Sequence, residues 1–292
     1  MYLLYFLQTN IIAFYTTITI VGLLVGSFLN VVIYRLPKMM QSSWRKECCD
    51  FLEMDDLGKN EGIQYTLIKP NSRCPHCQHD IRFWENVPVI SYLFLKGKCS
   101  ACHSPISIRY PSIELLTAVL SFGVAWHFGF GLQVLPALLL TWALIALSFI
   151  DIDEQLLPDD ITLPFLWLGL FCNLFALYTD VYSSLIGAMA GYMTLWLVYI
   201  SFKILTGKEG MGHGDFKLLA LLGAWLGWEI LPLTIILSSF CGAIIGIGMI
   251  IFAGHDRKQA IPFGPYLAIA GWIALIWGEE LIALYNNWFM GP

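Results

Sequence analysis

The stretch IIAFYTTITIVGLLVGSFLNVVIYRLPK, residues 11–38, decides the fold class. It carries no charged side chain before Arg35. Residues 11–34 are therefore longer than the roughly 20 apolar residues that cross a bilayer as a helix. No Lys or Arg precedes the run, so the positive start of a secretory signal is missing and the segment reads as a retained span. The whole chain agrees with this. Of its 292 residues, 58% are hydrophobic and 13% charged, against about 25% charged in an ordinary soluble domain. Mean hydropathy is +0.68.

Working outward, further apolar runs fall at about 113–128, 132–150, 161–179, 183–205, 216–230, 231–253 and 263–287. The sixth span, 216–230, is short and its boundary near Pro232 is loose. The expected fold is an all-α polytopic membrane protein of about eight transmembrane helices. One long polar segment, 35–111, interrupts the pattern. Eleven of the sixteen Lys and Arg lie in it, and the rest lie at 203–217 and at Arg257 and Lys258. Eight spans put all these regions on one side, which the positive-inside bias makes the cytoplasm. Both termini are then expected on the other side, the periplasm. Gly22/Gly26, Gly187/Gly191 and Gly242/Gly246 have the small-xxx-small spacing of closely packed helices, and packing is their whole expected role. The net charge of −5, with no basic aromatic module, argues against a nucleic-acid partner.

Two acidic clusters sit at cytoplasmic helix ends. SFIDIDEQLLPDDITLP, residues 148–164, holds Asp151, Asp153, Glu154, Asp159 and Asp160, and GMGHGD, residues 210–215, ends on Asp215. Asp151 and Asp215 are each flanked by apolar residues. Ionisable groups at membrane depth are costly and point to function. Two carboxylates in one low-dielectric site share a proton. One member can then activate water while the other protonates a leaving amine, which is aspartic-protease chemistry. Gly212 and Gly214 would let an extended substrate backbone approach and permit a non-helical turn at that depth. An Asp that opens a helix also caps it and suits the positive dipole end, so capping stands beside catalysis for Asp215 on spacing alone. Asp159 and Asp160, after Pro158, read as caps of the fourth span. Asp153, two residues from Asp151, points away from it on a continuing helix. A phosphate loop is excluded, because the G-x-x-x-x-G-K-[ST] pattern is absent. Acidic residues in spans also suit a proton relay, so a transporter or channel using Asp151 and Asp215 is the alternative function. A metal-organised scaffold without chemistry is a third.

CPHC at 74–77 and CSAC at 99–102 are two C-x-x-C knuckles 21 residues apart. That spacing signals tetrahedral zinc held by Cys74, Cys77, Cys99 and Cys102, a closed and therefore structural site. His76, His79 or His103 as ligands, and a redox dithiol, are the alternatives. Cys48, Cys49, Cys172 and Cys241 lack metal spacing and read as plain thiols. The acids of DFLEMDDLGKNE, residues 50–61, could attract a basic peptide, although an exposed acidic surface is the default.

Taken together, four blocks in order resemble the type IV prepilin peptidases, bifunctional leader peptidase/N-methyltransferases of the bacterial inner membrane. GSFLNVVIYRLP (26–37) is similar to the family's first span and residues 70–115 to its cytoplasmic domain. DID…LLPD with GMGHGDFKLL is similar to its catalytic region, and IPFGPYLAIAGW (261–272) to its last span. The resemblance covers nearly the whole chain. It implies Asp151 and Asp215 as the catalytic pair, Asp215 belonging to a G-x-G-D motif that presenilin-like proteases share. His213 fills the variable position of that motif and could tune Asp215 by its charge. The implied substrates are prepilin and pseudopilin precursors. Their basic leader is cut after Gly at the cytoplasmic membrane face, and the new N-terminal residue, usually Phe, is methylated from S-adenosylmethionine. Gly97 matches a position tied to methyl transfer, and the resemblance also supports four-cysteine zinc. The expected organisation is a first span (1–34), a cytoplasmic zinc-binding, methyltransferase-linked domain (35–111) and a seven-span peptidase domain (112–292), with the lipid bilayer as constant partner.

Overall fold

A computed structural model describes residues 2–53, 65–253 and 262–289. Lys59, Asp55, Asp56, Glu61, Arg257 and Lys258, which entered the charge arguments, lie outside the described residues. The chain is built from helices and divides into two units, 1–126 and 127–292.

In the first unit α1 (Tyr2–Thr9) ends at Asn10, whose side chain caps α2 (Ile11–Phe51) by accepting the Ala13 N–H at 3.0 Å. α2 has 41 residues, about 60 Å of helix, where the hydrocarbon core needs about 30 Å. It runs on past the expected span end at residue 34. The Met, Gln, Arg, Lys and Glu residues that follow are polar enough to leave lipid but are good helix formers, so the bilayer boundary is not a helix boundary. Near that boundary the buried Arg35 donates to the carbonyls of Thr66 (3.0 Å) and Pro70 (2.7 Å), tying the following segment to α2. A 3-10 turn (Phe83–Asn86) and the short α3 (Ile90–Phe94) precede α4 (Arg109–Phe128). Gly22 and Gly26 let α2 approach α4 closely. A Cβ on Gly26 would lie 2.7 Å from the Glu114 Cα, and one on Gly22 would lie 2.8 Å from the Ser121 hydroxyl.

The second unit holds α5 (Val134–Glu154), α6 (Asp159–Asn173), α7 (Val181–Thr206), α8 (His213–Leu226), α9 (Leu231–Ala253) and α10 (Gly264–Phe289). Helices thus occupy all eight expected spans. Six among the described residues are long and apolar enough to cross a membrane: α2, α4, α5, α7, α9 and α10. α6 and α8 have 15 and 14 residues, about 22 and 21 Å, and stop short of a full hydrocarbon crossing. α8 is the centre of the unit. Phe216, Leu218, Leu219, Leu221, Leu222, Ala224 and Trp225 are fully buried, as expected of a helix that is apolar all round.

The neighbours of α8 meet it through glycines and buried polar groups. Gly187 of α7 packs on the Gly223 carbonyl, and a Cβ on Gly191 would come within 2.6 Å of the Leu219 carbonyl oxygen. Gly169 of α6 faces the Trp225 ring, whose Nε1 donates to the Phe165 carbonyl at 2.7 Å. Gly271 of α10 accommodates Leu222. At the far end the buried Asn173 donates to the Ala224 and Trp225 carbonyls, both at 2.9 Å, and accepts the N–H groups of Tyr178 and Thr179. It satisfies the last carbonyls of α8, which a buried helix end otherwise leaves unpaired.

Candidate active site and metal centre

Asp151 lies in the last turn of α5, one turn before Gln155 closes the helix in the left-handed region. Asp215 lies in the first turn of α8, the third residue after the N-cap Gly212. Both carboxylates are buried, at 6% and 7% exposure, and they interact electrostatically. Leu157 lies between the two regions, which are 64 positions apart in sequence: it touches Gly214, next to Asp215, and Gly264, which touches Asp151. A Cβ on Gly214 would stand 2.7 Å from the Leu157 Cβ, and one on Gly264 would stand 3.2 Å from the Leu157 Cδ2 and 2.6 Å from the Asp151 Oδ2. The Gly264 N–H, at the start of α10, donates to that Oδ2 at 3.0 Å. Such a donor at a helix N-terminus suits a carboxylate. The Asp215 N–H donates to the Gly212 carbonyl at 3.3 Å in the turn that opens α8.

The other acids separate from this pair. Asp153 and Glu154 are exposed. Asp159 and Asp160 do not cap α6: its N-cap is Pro158, and they occupy the first turn. Asp159 instead pairs with Lys217 of α8 at 2.7 Å. The difference arises because Pro158 already ends the extended segment, so the helix begins on the aspartate itself.

The three glycines before Asp215 divide as well. Gly210 packs on Phe202 and Gly214 on Leu157, so internal packing accounts for both. Around Gly212 a Cβ would meet only the Asp215 Oδ2, at 3.8 Å, so this backbone opens onto free space beside the carboxylate. His213 stacks its ring on Tyr199 (5.2 Å between centroids) and Phe216 (5.5 Å). Sequence reasoning missed Leu157 and Gly264. A Gly-Pro pair opening an apolar run is a helix-start signal, and it could have marked Gly264 as a backbone donor.

In the first unit the four cysteines converge. Their sulfurs lie within 4.8 Å of one another, with Cys74 to Cys102 at 3.8 Å and Cys77 to Cys99 at 3.9 Å. An ion bonded to four thiolates at about 2.3 Å in a tetrahedron spaces them about 3.8 Å apart, so the residues fit a tetrahedral ion. The two knuckles repeat one geometry. Cys74 donates its N–H to the His79 carbonyl and Cys99 to the Ser104 carbonyl, both at 2.9 Å, and Gln78 and His103 take positive φ just after the second cysteine of each. Backbone N–H groups of Cys77 and His76 aim at Cys74 and hold its thiol down to about 6. At Cys77 the His79 N–H favours the thiolate, but desolvation and the bonds to Cys102, Cys74 and Cys99 outweigh it and push the thiol up to about 12. These opposite shifts favour the thiolate at Cys74 and the thiol at Cys77. Among the described residues no histidine joins this cluster: His76 is exposed, and the His79 Nε2 faces Glu85 at 3.6 Å. Glu85 links the knuckles, accepting the Arg82 N–H at 3.0 Å and a bond from Ser100, and these donors hold its carboxyl below the usual range.

Gly97 follows α3 with φ +69°, and a Cβ there would lie 2.9 Å from the Tyr92 hydroxyl. Backbone conformation and this contact account for the glycine.

Two family models cover most of the chain. Residues 20–128 match the bacterial peptidase A24 N-terminal domain and residues 138–247 the type IV leader peptidase family. Curated relatives named prepilin leader peptidase/N-methyltransferase are similar along nearly the full length. The one from Stutzerimonas stutzeri is 56% identical over 96% of both chains, and that from Pseudomonas aeruginosa is 55% identical over 97% of both. That from Neisseria gonorrhoeae is 48% identical over 94% of both. No solved structure matches the chain.

Proposed function

The chain belongs to the type IV leader peptidase family, and from that premise we propose that Asp151 and Asp215 are the catalytic pair of a membrane aspartic endopeptidase. Its substrates are precursors of type IV pilins and pseudopilins. The cut falls after the Gly that ends the leader, at the cytoplasmic membrane face, and the new N-terminal residue is then methylated. The observation that carries the reading is the meeting of two buried carboxylates beside Leu157, with open backbone at Gly212.

One carboxylate takes a proton from water as it attacks the scissile carbonyl, and the other, protonated, donates to the departing amine. The Gly264 N–H orients Asp151. Gly212 lets the extended leader pass alongside, while Gly214 lets Leu157 close the floor of the site. The unwound residues 207–212 before α8 serve as that approach, since irregular backbone is tolerated where it lines a site.

The four cysteines hold zinc, whose closed thiolate shell fixes the shape of a domain with little core of its own. Residues 35–111 are the methyl-transfer domain, following the first span (1–34), and 112–292 the peptidase. S-adenosylmethionine supplies the methyl group to the new amine. Gly97 serves that step indirectly, by shaping the turn after α3. In this reading the zinc domain and the aspartates face the cytoplasm and both termini the periplasm, which the clustering of Lys and Arg supports.

The test is to incubate purified protein with a prepilin and follow product mass in wild type, Asp151→Asn and Asp215→Asn. Loss of cleavage in each variant, with bound metal and fold retained, supports the pair. Normal cleavage in both variants refutes it and returns the carboxylates to capping or proton relay.

A further inference from the structure

The first unit carries an apolar surface that neither the aspartates nor the cysteines explain. Phe83 (82% exposed), Trp84 (52%), Ile90 (52%), Leu93 (68%) and Phe94 (83%) all stand uncovered on the 3-10 turn and α3. Trp84, Ile90 and Phe94 also line a groove of about 380 Å³. Exposed apolar patches of this kind mark contact surfaces rather than chance.

The structure ties this surface to a definite height. Val89, just before α3, donates its N–H to the Glu114 carboxylate at 2.7 Å, and Glu114 is buried. Val89 takes φ +57° and ψ −45° to do so, a conformation that a β-branched residue adopts only when its surroundings impose it. Glu114 is the sixth residue of α4, about 7 Å along a helix that is itself a candidate span. α3 is thereby fastened beside the first turns of α4, where the apolar run of that span begins. The next α4 residues, Leu115 and Leu116, are also uncovered by protein, so the patch continues a lipid-facing helix surface. Its edges carry Arg82, whose guanidinium lies 5.4 Å over the Trp84 ring, and the exposed Lys96 and Lys98. Tryptophan with flanking Arg and Lys over an apolar face is the composition of segments that lie in the headgroup–acyl boundary.

We propose that the 3-10 turn and α3 form a membrane-surface anchor: Phe83, Trp84, Ile90, Leu93 and Phe94 insert into the boundary of the bilayer that the chain spans. The anchor holds the cysteine knuckles close over the lipid surface. This rests on the spanning helices and not on the roles given to Asp151 and Asp215.

The test uses the full chain in vesicles of phosphatidylethanolamine and phosphatidylglycerol. The photoreactive residue p-benzoylphenylalanine replaces Phe94 in one preparation and Lys46, exposed on the polar extension of α2, in another. After irradiation, adducts are identified by mass. Lipid adducts at 94 and none at 46 are expected, with metal content and cleavage unchanged, because position 94 is exposed, so the added benzoyl group displaces no packed residue and the phenyl ring is kept. Adducts at 94 confined to other segments of the chain, equal lipid labelling at both positions, or replacement of lipid by an added prepilin at 94 would each overturn the proposal. The last outcome would give the groove to the apolar helix of the substrate.

Discussion

Replacing Gly264 by Ala tests the geometry of the aspartate site without substituting either aspartate. The new Cβ would fall 2.6 Å from the Asp151 Oδ2, 3.2 Å from its Cγ and 3.2 Å from the Leu157 Cδ2. Non-bonded heavy atoms settle at about 3.5 Å or more, so the carboxylate must move by close to 1 Å. The 3.0 Å bond from the Gly264 N–H breaks with that movement. Hydrogen bonds to charged groups contribute about 1.5–3 kcal/mol, which corresponds to roughly 10- to 150-fold in rate. A displacement of about 1 Å in a catalytic group independently costs on the order of 100-fold. Both routes lead to a fall of about 100-fold in kcat/KM for cleavage, read from product mass over time. Methylation of a pilin that has already been cut, measured in the same preparation, should stay near wild type. Gly248→Ala is the matching control, since a Cβ there meets nothing within 4 Å. Wild-type cleavage by Gly264→Ala would refute the inference that this backbone donor positions Asp151.

Four further outcomes follow from the same contacts. Cys74→Ser should release the metal ion and abolish methylation while cleavage persists in part; one metal per chain in wild type, by elemental analysis, is the reference. Metal binding displaces thiol protons, so affinity should fall as pH falls, and mild acid with a chelator should strip the ion that neutral pH retains. Asn173→Leu leaves the Trp225 carbonyl without its side-chain donor and the Ala224 carbonyl with the Ser184 hydroxyl alone, at about 1–3 kcal/mol for a buried unpaired group, and should lower the thermal midpoint clearly. Asp159→Asn, by contrast, breaks only a half-exposed pair with Lys217, worth about 0–1 kcal/mol, and should leave that midpoint almost unchanged.

Several differences between expectation and structure have one origin. Hydropathy records where lipid ends, and α2 passes that point as helix, with Pro37 inside it, because the Met, Gln, Arg, Lys and Glu residues beyond it favour helix as well as water. The same measure located α6 and α8 but not their shortness: α8 is enclosed by other helices and need not match the bilayer, and beyond α6, which leaves Trp167 and Phe171 exposed, the apolar residues continue past the helix end at Asn173. Asp159 and Asp160 read as caps because the local pattern allows it, yet Pro158 takes the cap position and Lys217, 58 residues on, takes Asp159. Gly212 and Gly214 look equivalent in sequence. Only the arrival of Leu157 against Gly214 separates packing from open backbone.

By itself the sequence determined the class, the helical segments, the four cysteines that converge and the two aspartates to be weighed. These follow from apolar run length, thiol spacing and the cost of a carboxylate at membrane depth, all of which are local quantities. Tertiary structure alone decided that Asp151 and Asp215 meet at Leu157 and that the Gly264 N–H, 113 residues beyond Asp151, aims at its carboxylate. It alone fastened α3 to Glu114. A backbone N–H carries no side-chain signature, and a contact between distant helices exists only once their packing has set the distance.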